Sequence, residues 1–123
     1  MSTPVLAIGI HGATGRMGTR LIQLIQTDPG LTLAAAIDRP QHPQIGEDAG
    51  ALCGVGPLGV PLTGALDPNV KLDALIDFSL PAGTLALVGA CRERGIPLVV
   101  GTTGFEPEQK REVEKAAEAI PVL

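Results

Sequence analysis

The chain has 123 residues, enough for one domain with a real core, and its 13 acidic against 9 basic residues leave a formal net charge of −4 with no basic cluster. That balance excludes the electrostatic footprint of a protein that binds nucleic acid or an anionic membrane, so the expected partner is a small molecule. Tyrosine and tryptophan are absent, which removes any chemistry that needs a tyrosine acid within this chain. No apolar run approaches the roughly 20 residues of a spanning helix, and the opening MSTPVLAIG carries no basic leader region. The expected location is the cytoplasm.

In chain order, the apolar run VLAIGI at 5–10 lacks polar alternation and reads as a strand buried on both faces. Gly12, Gly15 and Gly18 follow in a G-x-x-G-x-x-G turn. Met17, Leu21, Leu24 and Ile25 then recur at i, i+4, i+7 and i+8, the core face of an amphipathic helix. In a strand, turn and helix of this kind Gly12 permits the tight turn, Gly15 lets a pyrophosphate approach the main chain, and Gly18 lets the helix pack close to the strand. The free N–H groups at the helix start, with Arg16 beside them, would hold the phosphates. Asp28-Pro29-Gly30 closes the helix, with Gly30 in a left-handed turn.

A second apolar run, Leu31–Ile37, ends in Asp38, 20 residues after Gly18. A carboxylate at the tip of the second strand is what accepts hydrogen bonds from the ribose hydroxyls of an adenine dinucleotide. Arg39 adds a guanidinium that grips phosphate bidentately, so the pair suits either a free ribose hydroxyl or a 2′-phosphate. Prolines and glycines then punctuate residues 40–64, leaving room for a helical turn at 47–52 and a short strand at 60–63. This segment reads either as a loop over the adenosine end or as a plain insertion. His42 within it reads as exposed, and His11 as placed by the glycine turn rather than catalytic.

Order returns with a strand at 74–76 that runs into Asp77-Phe78-Ser79. Ser79 is expected to cap the next helix, which has proline in its first turn, passes through Leu85, Val88 and Cys91, and stops at Gly95. Another strand at 98–100 ends in GTTGF at 101–105, and Pro107 opens a last helix with Val113, Ala116, Ala117 and Ile120 on its apolar face. Residues 121–123 open one more strand. Cys53 and Cys91, with no C-x-x-C pair and no neighbouring His, support neither a disulfide nor a metal site.

The alternation of elements gives an α/β fold: a Rossmann-like, doubly wound parallel sheet with helices on both faces and a truncated last strand, in one domain over residues 1–123. The carboxyl edge of such a sheet binds ligands. It gathers the glycine turn, Asp38, and Phe78 and Ser79 at the border of the crevice, with Gly101, Thr102 and Thr103 at the nicotinamide end.

GATGRMG, Asp38-Arg39, IGEDAG at 45–50, DFSLPAGT at 77–84 and GTTGF, in this order over nearly the whole chain, resemble the amino-terminal half of bacterial dihydrodipicolinate reductase, also called 4-hydroxy-tetrahydrodipicolinate reductase. The resemblance implies an oxidoreductase that uses NADH or NADPH to reduce the cyclic product of dihydrodipicolinate synthase, on the diaminopimelate route to lysine. It implies that Gly12, Ala13, Thr14, Gly15, Arg16 and Met17 bind the pyrophosphate, Asp38 the adenine ribose, Arg39 a 2′-phosphate, and Gly101, Thr102 and Thr103 the nicotinamide ribose region. The family's second half supplies substrate binding, homotetramer contacts and a catalytic His-His…Lys motif, none of which has a counterpart in these residues. The dicarboxylate substrate would need that half, and no catalytic residue is expected here. Two other readings share the glycine motif: an NAD-binding regulatory or redox-sensor module, and an atypical short-chain-dehydrogenase-like protein, which the lack of tyrosine disfavours.

Overall fold

Residues 5–123 are described by a computed structural model; residues 1–4, at which the reading of no leader begins, lie outside them. The elements are β1 (Leu6–His11), α1 (Arg16–Thr27), β2 (Leu31–Ile37), α2 (Ala49–Leu52), β3 (Leu62–Thr63), β4 (Ala74–Asp77), α3 (Pro81–Arg94), β5 (Leu98–Val100) and α4 (Pro107–Ala116). The strands form one parallel sheet in the order β3-β2-β1-β4-β5. Strand order therefore reverses between β1 and β4, and the loops after these two strands flank the switch point, where a crevice opens. Beyond α4, Leu98 donates to the Pro121 carbonyl and Val100 to the Leu123 carbonyl, each at 2.9 Å, so residues 121–123 run beside β5 as an opening strand should.

Side chains alternate across the strands and so build a core on each face. Ile8, Ile10, Leu33 and Ala36 pack with Ile22 and Ile25 of α1, whereas Ile37, Leu75 and Leu98 pack with Leu87, Val88 and Cys91 of α3 and with Ala116 of α4. Between β1 and β2 the register slips: Ile8 faces Leu33 but Gly9 faces Ala35. The extra residue, Ala34, lets Leu33 and Ala36 share a face although they are three apart. Burial pushes the Cys91 thiol up to about 11, so it behaves as an inert apolar group.

Four local expectations are corrected. The buried stripe of α1 runs through Gly18, Ile22 and Ile25, while Met17 and Leu24 are 48% and 44% exposed. The stripe is turned by one position because the helix meets the strand through a glycine: a Cβ on Gly18 would overlap the Gly12 carbonyl oxygen. Gly30 does not adopt the left-handed region. Instead its N–H donates to Asp28 Oδ1 at 2.8 Å, a side-chain turn that leaves its φ ordinary. Ser79 does not cap α3, whose N-cap is Leu80; the Ser79 hydroxyl is drawn to Asp77 Oδ1 at 2.6 Å instead. At the other end of α3, Gly95 does take the left-handed conformation, with φ 67°. In α4 Ala117 is exposed, and Ala116 and Ile120 carry the burial.

The irregular segment is organised by one side chain. Asp48 caps α2 by accepting from the N–H groups of Gly50 and Ala51 and also takes those of Leu58 and Gly59. These four donors, Leu58 foremost, hold its carboxyl below the usual range.

The two sheet faces are not equally covered. α3 and α4 close one face. On the other, α1 lies over β1 and β2, and beside it an apolar groove of about 720 Å³ opens over Ile8, Ala74, Ile76 and Val99, walled by Leu21 and Leu24.

Candidate dinucleotide site

The turn between β1 and α1 is fixed by sterics. Gly12 has φ 80°, and a Cβ there would overlap the Phe78 carbonyl oxygen, so only glycine lets the β1 and β4 loops approach so closely. Gly15 is the N-cap of α1 and no side chain caps the helix. The first helical bond is Thr19 N–H to the Gly15 carbonyl at 2.9 Å, so the N–H groups of Arg16, Met17 and Gly18 precede the helical ladder. A Cβ on Gly15 would meet only the Gly12 carbonyl oxygen, at 3.3 Å. Bare main chain and the positive end of a helix dipole are thus presented together, the arrangement that holds a diphosphate.

Along this turn runs a crevice of about 380 Å³. One wall is made by His11, Gly12, Thr14, Gly15, Asp38 and Arg39, and the other by Phe78, Ser79, Leu80, Ala82 and Gly83. The structure thus gathers seven of the residues singled out by sequence, Gly12, Thr14, Gly15, Asp38, Arg39, Phe78 and Ser79, in one cleft. Arg16 and Met17 are exposed at the helix start outside its lining, and Ala13 is buried beneath the turn.

Asp38 closes β2 at the crevice. Its Oδ2 accepts from the Thr14 hydroxyl at 2.7 Å and the Thr14 N–H at 3.1 Å, and its Oδ1 from the Arg39 N–H at 2.9 Å. Burial pushes its carboxyl up, but these bonds and the nearby His42 outweigh that and hold it below the usual range, so it is an anion with lone pairs to spare. His42, expected to be exposed, is half-buried, with Nε2 3.1 Å from Thr14 Oγ1. Sequence offered no signal for this, because 28 positions separate the pair and the loop between them is irregular.

Asp77 is the residue that sequence reading passed over. It is 1% exposed at the end of β4 and accepts from the hydroxyls of Thr84, of Thr102 at 3.0 Å and of Ser79. His11, 5% exposed, holds Nδ1 3.0 Å from Asp77 Oδ1 without the alignment of a full hydrogen bond. Burial alone would push the carboxyl up; His11, Ser79 and Thr84 together hold it below the usual range. One carboxylate thereby ties the end of β1, the loop after β4, the first turns of α3 and the loop after β5.

That hub also settles where the GTTGF turn stands. The Thr102 hydroxyl accepts the Ser79 N–H at 3.0 Å while donating to Asp77, so it faces the protein. Gly101 lies against the Phe78 ring, which a Cβ would overlap, and Thr103 is exposed. These three residues stand beyond the crevice walls, at the far end of the same edge.

The family model described as dihydrodipicolinate reductase, N-terminus, matches residues 6–123. The chain belongs to that family. It is 46% identical over 120 residues to a 4-hydroxy-tetrahydrodipicolinate reductase of Methylococcus capsulatus, covering 97% of this chain and 45% of that protein. A 4-hydroxy-tetrahydrodipicolinate reductase of Acinetobacter baumannii is 50% identical over 117 residues, 94% of this chain and 42% of that protein. The chain therefore spans a little under half the length of these curated reductases. Among solved structures, the dipicolinate-bound dihydrodipicolinate reductase of Paenisporosarcina sp. TG-14 superposes with a TM-score of 0.70 at 23% identity, over 93% of this chain and 43% of that one. An amine dehydrogenase of Mycobacterium smegmatis gives 0.71 at 20% identity, over 95% and 37%. These structural likenesses show the shared fold. Among the described residues no helix is long and apolar enough to cross a membrane.

Proposed function

We propose that residues 1–123 are the dinucleotide-binding domain of a cytoplasmic, homotetrameric 4-hydroxy-tetrahydrodipicolinate reductase, and that they bind NADH or NADPH along the crevice without turnover of their own. The observation that carries this reading is the uncapped start of α1 at Gly15, open to the crevice beside an ionised Asp38. The diphosphate would lie on the main chain from Gly12 to Met17, with Arg16 beside it. Asp38 would accept the adenosine ribose hydroxyls and Arg39 a 2′-phosphate, with NADH modestly preferred. Phe78 and Ser79 border the path to the nicotinamide end, where Gly101, Thr102 and Thr103 would flank the second ribose.

When bound, the reduced nicotinamide supplies a hydride to an electron-poor carbon of a conjugated imine. This chain's residues bind and orient. Asp77, by holding His11, Ser79 and Thr102 together, keeps the two sides of the cleft at a set distance. The acid that protonates the product and the cations that hold a dicarboxylate substrate would lie in the further length of the full reductase.

The test is titration of the 123-residue chain with NADH and NADPH, followed by the coenzyme's own fluorescence, which no tryptophan obscures. Saturable binding of at least one coenzyme with no reductase turnover is the expected result. Absence of binding by both would overturn the reading, and turnover by this chain alone would overturn the division of labour.

A further inference from the structure

His42 stands between Pro40 and Pro43, yet both of its ring nitrogens are engaged at the binding crevice. The Gln44 N–H donates to Nδ1 at 3.1 Å, which places the proton of the neutral ring on Nε2. Nε2 then donates to Thr14 Oγ1 at 3.1 Å. A threonine hydroxyl has one hydrogen, and that of Thr14 goes to Asp38 Oδ2 at 2.7 Å. The hydrogen bonds run one way, from imidazole to hydroxyl to carboxylate. They link the irregular loop, the glycine turn and the end of β2.

We propose that His42 and Thr14 are specificity-determining residues: their relay fixes the Asp38 carboxylate as an acceptor for a free ribose 2′-hydroxyl and disfavours a dinucleotide that carries a 2′-phosphate. The proposal rests on the crevice being the dinucleotide site. A ribose diol brings donors, which a fixed carboxylate receives without moving. A 2′-phosphate brings only acceptors and negative charge, so the carboxylate must turn away to admit it. Turning breaks both Thr14 bonds to Oδ2 and strands the Thr14 hydroxyl hydrogen. The relay therefore opposes one ligand and leaves the other unaffected. Exposed Arg39, on the same wall, pulls the opposite way by attracting phosphate.

The experiment measures Kd for NADH and for NADPH in the wild-type chain and in His42→Ala, His42→Gln, Thr14→Val and Arg39→Ala, with folding checked by circular dichroism. His42→Ala and Thr14→Val are expected to lower the ratio of the NADPH to the NADH constant by about three- to tenfold, the size of one or two hydrogen bonds. His42→Gln keeps a side-chain donor and stays near wild type, while Arg39→Ala raises the ratio. In nitrogen-15 spectra His42 shows the Nε2–H tautomer and shifts in Thr14→Val. An unchanged ratio in folded His42→Ala and Thr14→Val overturns the proposal, as does an equal loss of both coenzymes that His42→Gln fails to restore. A wild-type chain that binds neither coenzyme removes the reading of the crevice and this proposal with it.

Discussion

Two carboxylates flank the crevice, each bonded to threonine and with a histidine close by. Asp38, with Thr14 and His42, is partly open and keeps lone pairs for a ligand. Asp77, with Thr84, Thr102, Ser79 and His11, is fully enclosed and directs its oxygens to the protein. The same side-chain types thus stand open to a ligand where solvent reaches them and serve architecture where it does not. Burial decides the role, because an enclosed anion must be satisfied by the fold itself.

This contrast can be broken most directly by removing each charge. Asp77→Asn leaves hydroxyl donors facing an amide and is expected to cost about 3 kcal/mol in urea unfolding. Asp38→Asn should change stability by less than about 1 kcal/mol but weaken NADH binding about tenfold or more, as loss of a charged hydrogen bond does. Equal stability losses would show that the two sites do not differ in kind.

Glycine substitutions sharpen it next. Gly12→Ala places a methyl on the Phe78 carbonyl at a positive φ, and a loss of roughly 2–3 kcal/mol should follow. Gly15→Ala should fold with a deficit of about 1 kcal/mol yet lose coenzyme affinity by about tenfold, since the methyl would stand at the proposed diphosphate seat.

A smaller effect is expected from acid. Asp77 in the folded protein lies below its ordinary value of 3.8, so its contribution is complete above that value and disappears as pH falls through the lower, folded one. Asp38 and Asp48 have the same sign. Unfolding free energy should therefore drop on acidification below about pH 4, and Asp77→Asn should flatten that slope in part. Ser79→Ala should cost only about 1 kcal/mol, from one lost hydrogen bond; amide exchange at the start of α3 should stay as in wild type, because Ser79 does not cap that helix.

Much of this fold is readable from residue order because the signals are local. Apolar runs mark β1 and β2, Gly12 and Gly18 mark a turn that no larger residue could make, and Asp38 follows its strand at the crevice as expected. What was not legible depends on contacts distant in sequence. Asp77 meets Thr102 across 25 positions and Thr14 meets His42 across 28, and no spacing rule links them. The displaced stripe of α1 has a different origin: periodicity gives Met17 and Gly18 equal claim to the core, and only the closeness of the Gly12 carbonyl decides between them.

The groove over Ile76 and Val99 bears on how the isolated chain would be handled. Leu24 in its wall is 44% exposed and Leu6, outside its lining, is 47% exposed, so oily surface continues beyond the groove itself. Water ordered over such a surface is released when molecules cluster, and salts excluded from protein surfaces favour that release. Ammonium sulfate should therefore bring this chain out of solution early, and a dye such as anilinonaphthalene sulfonate should brighten in its presence while the sheet beneath stays folded.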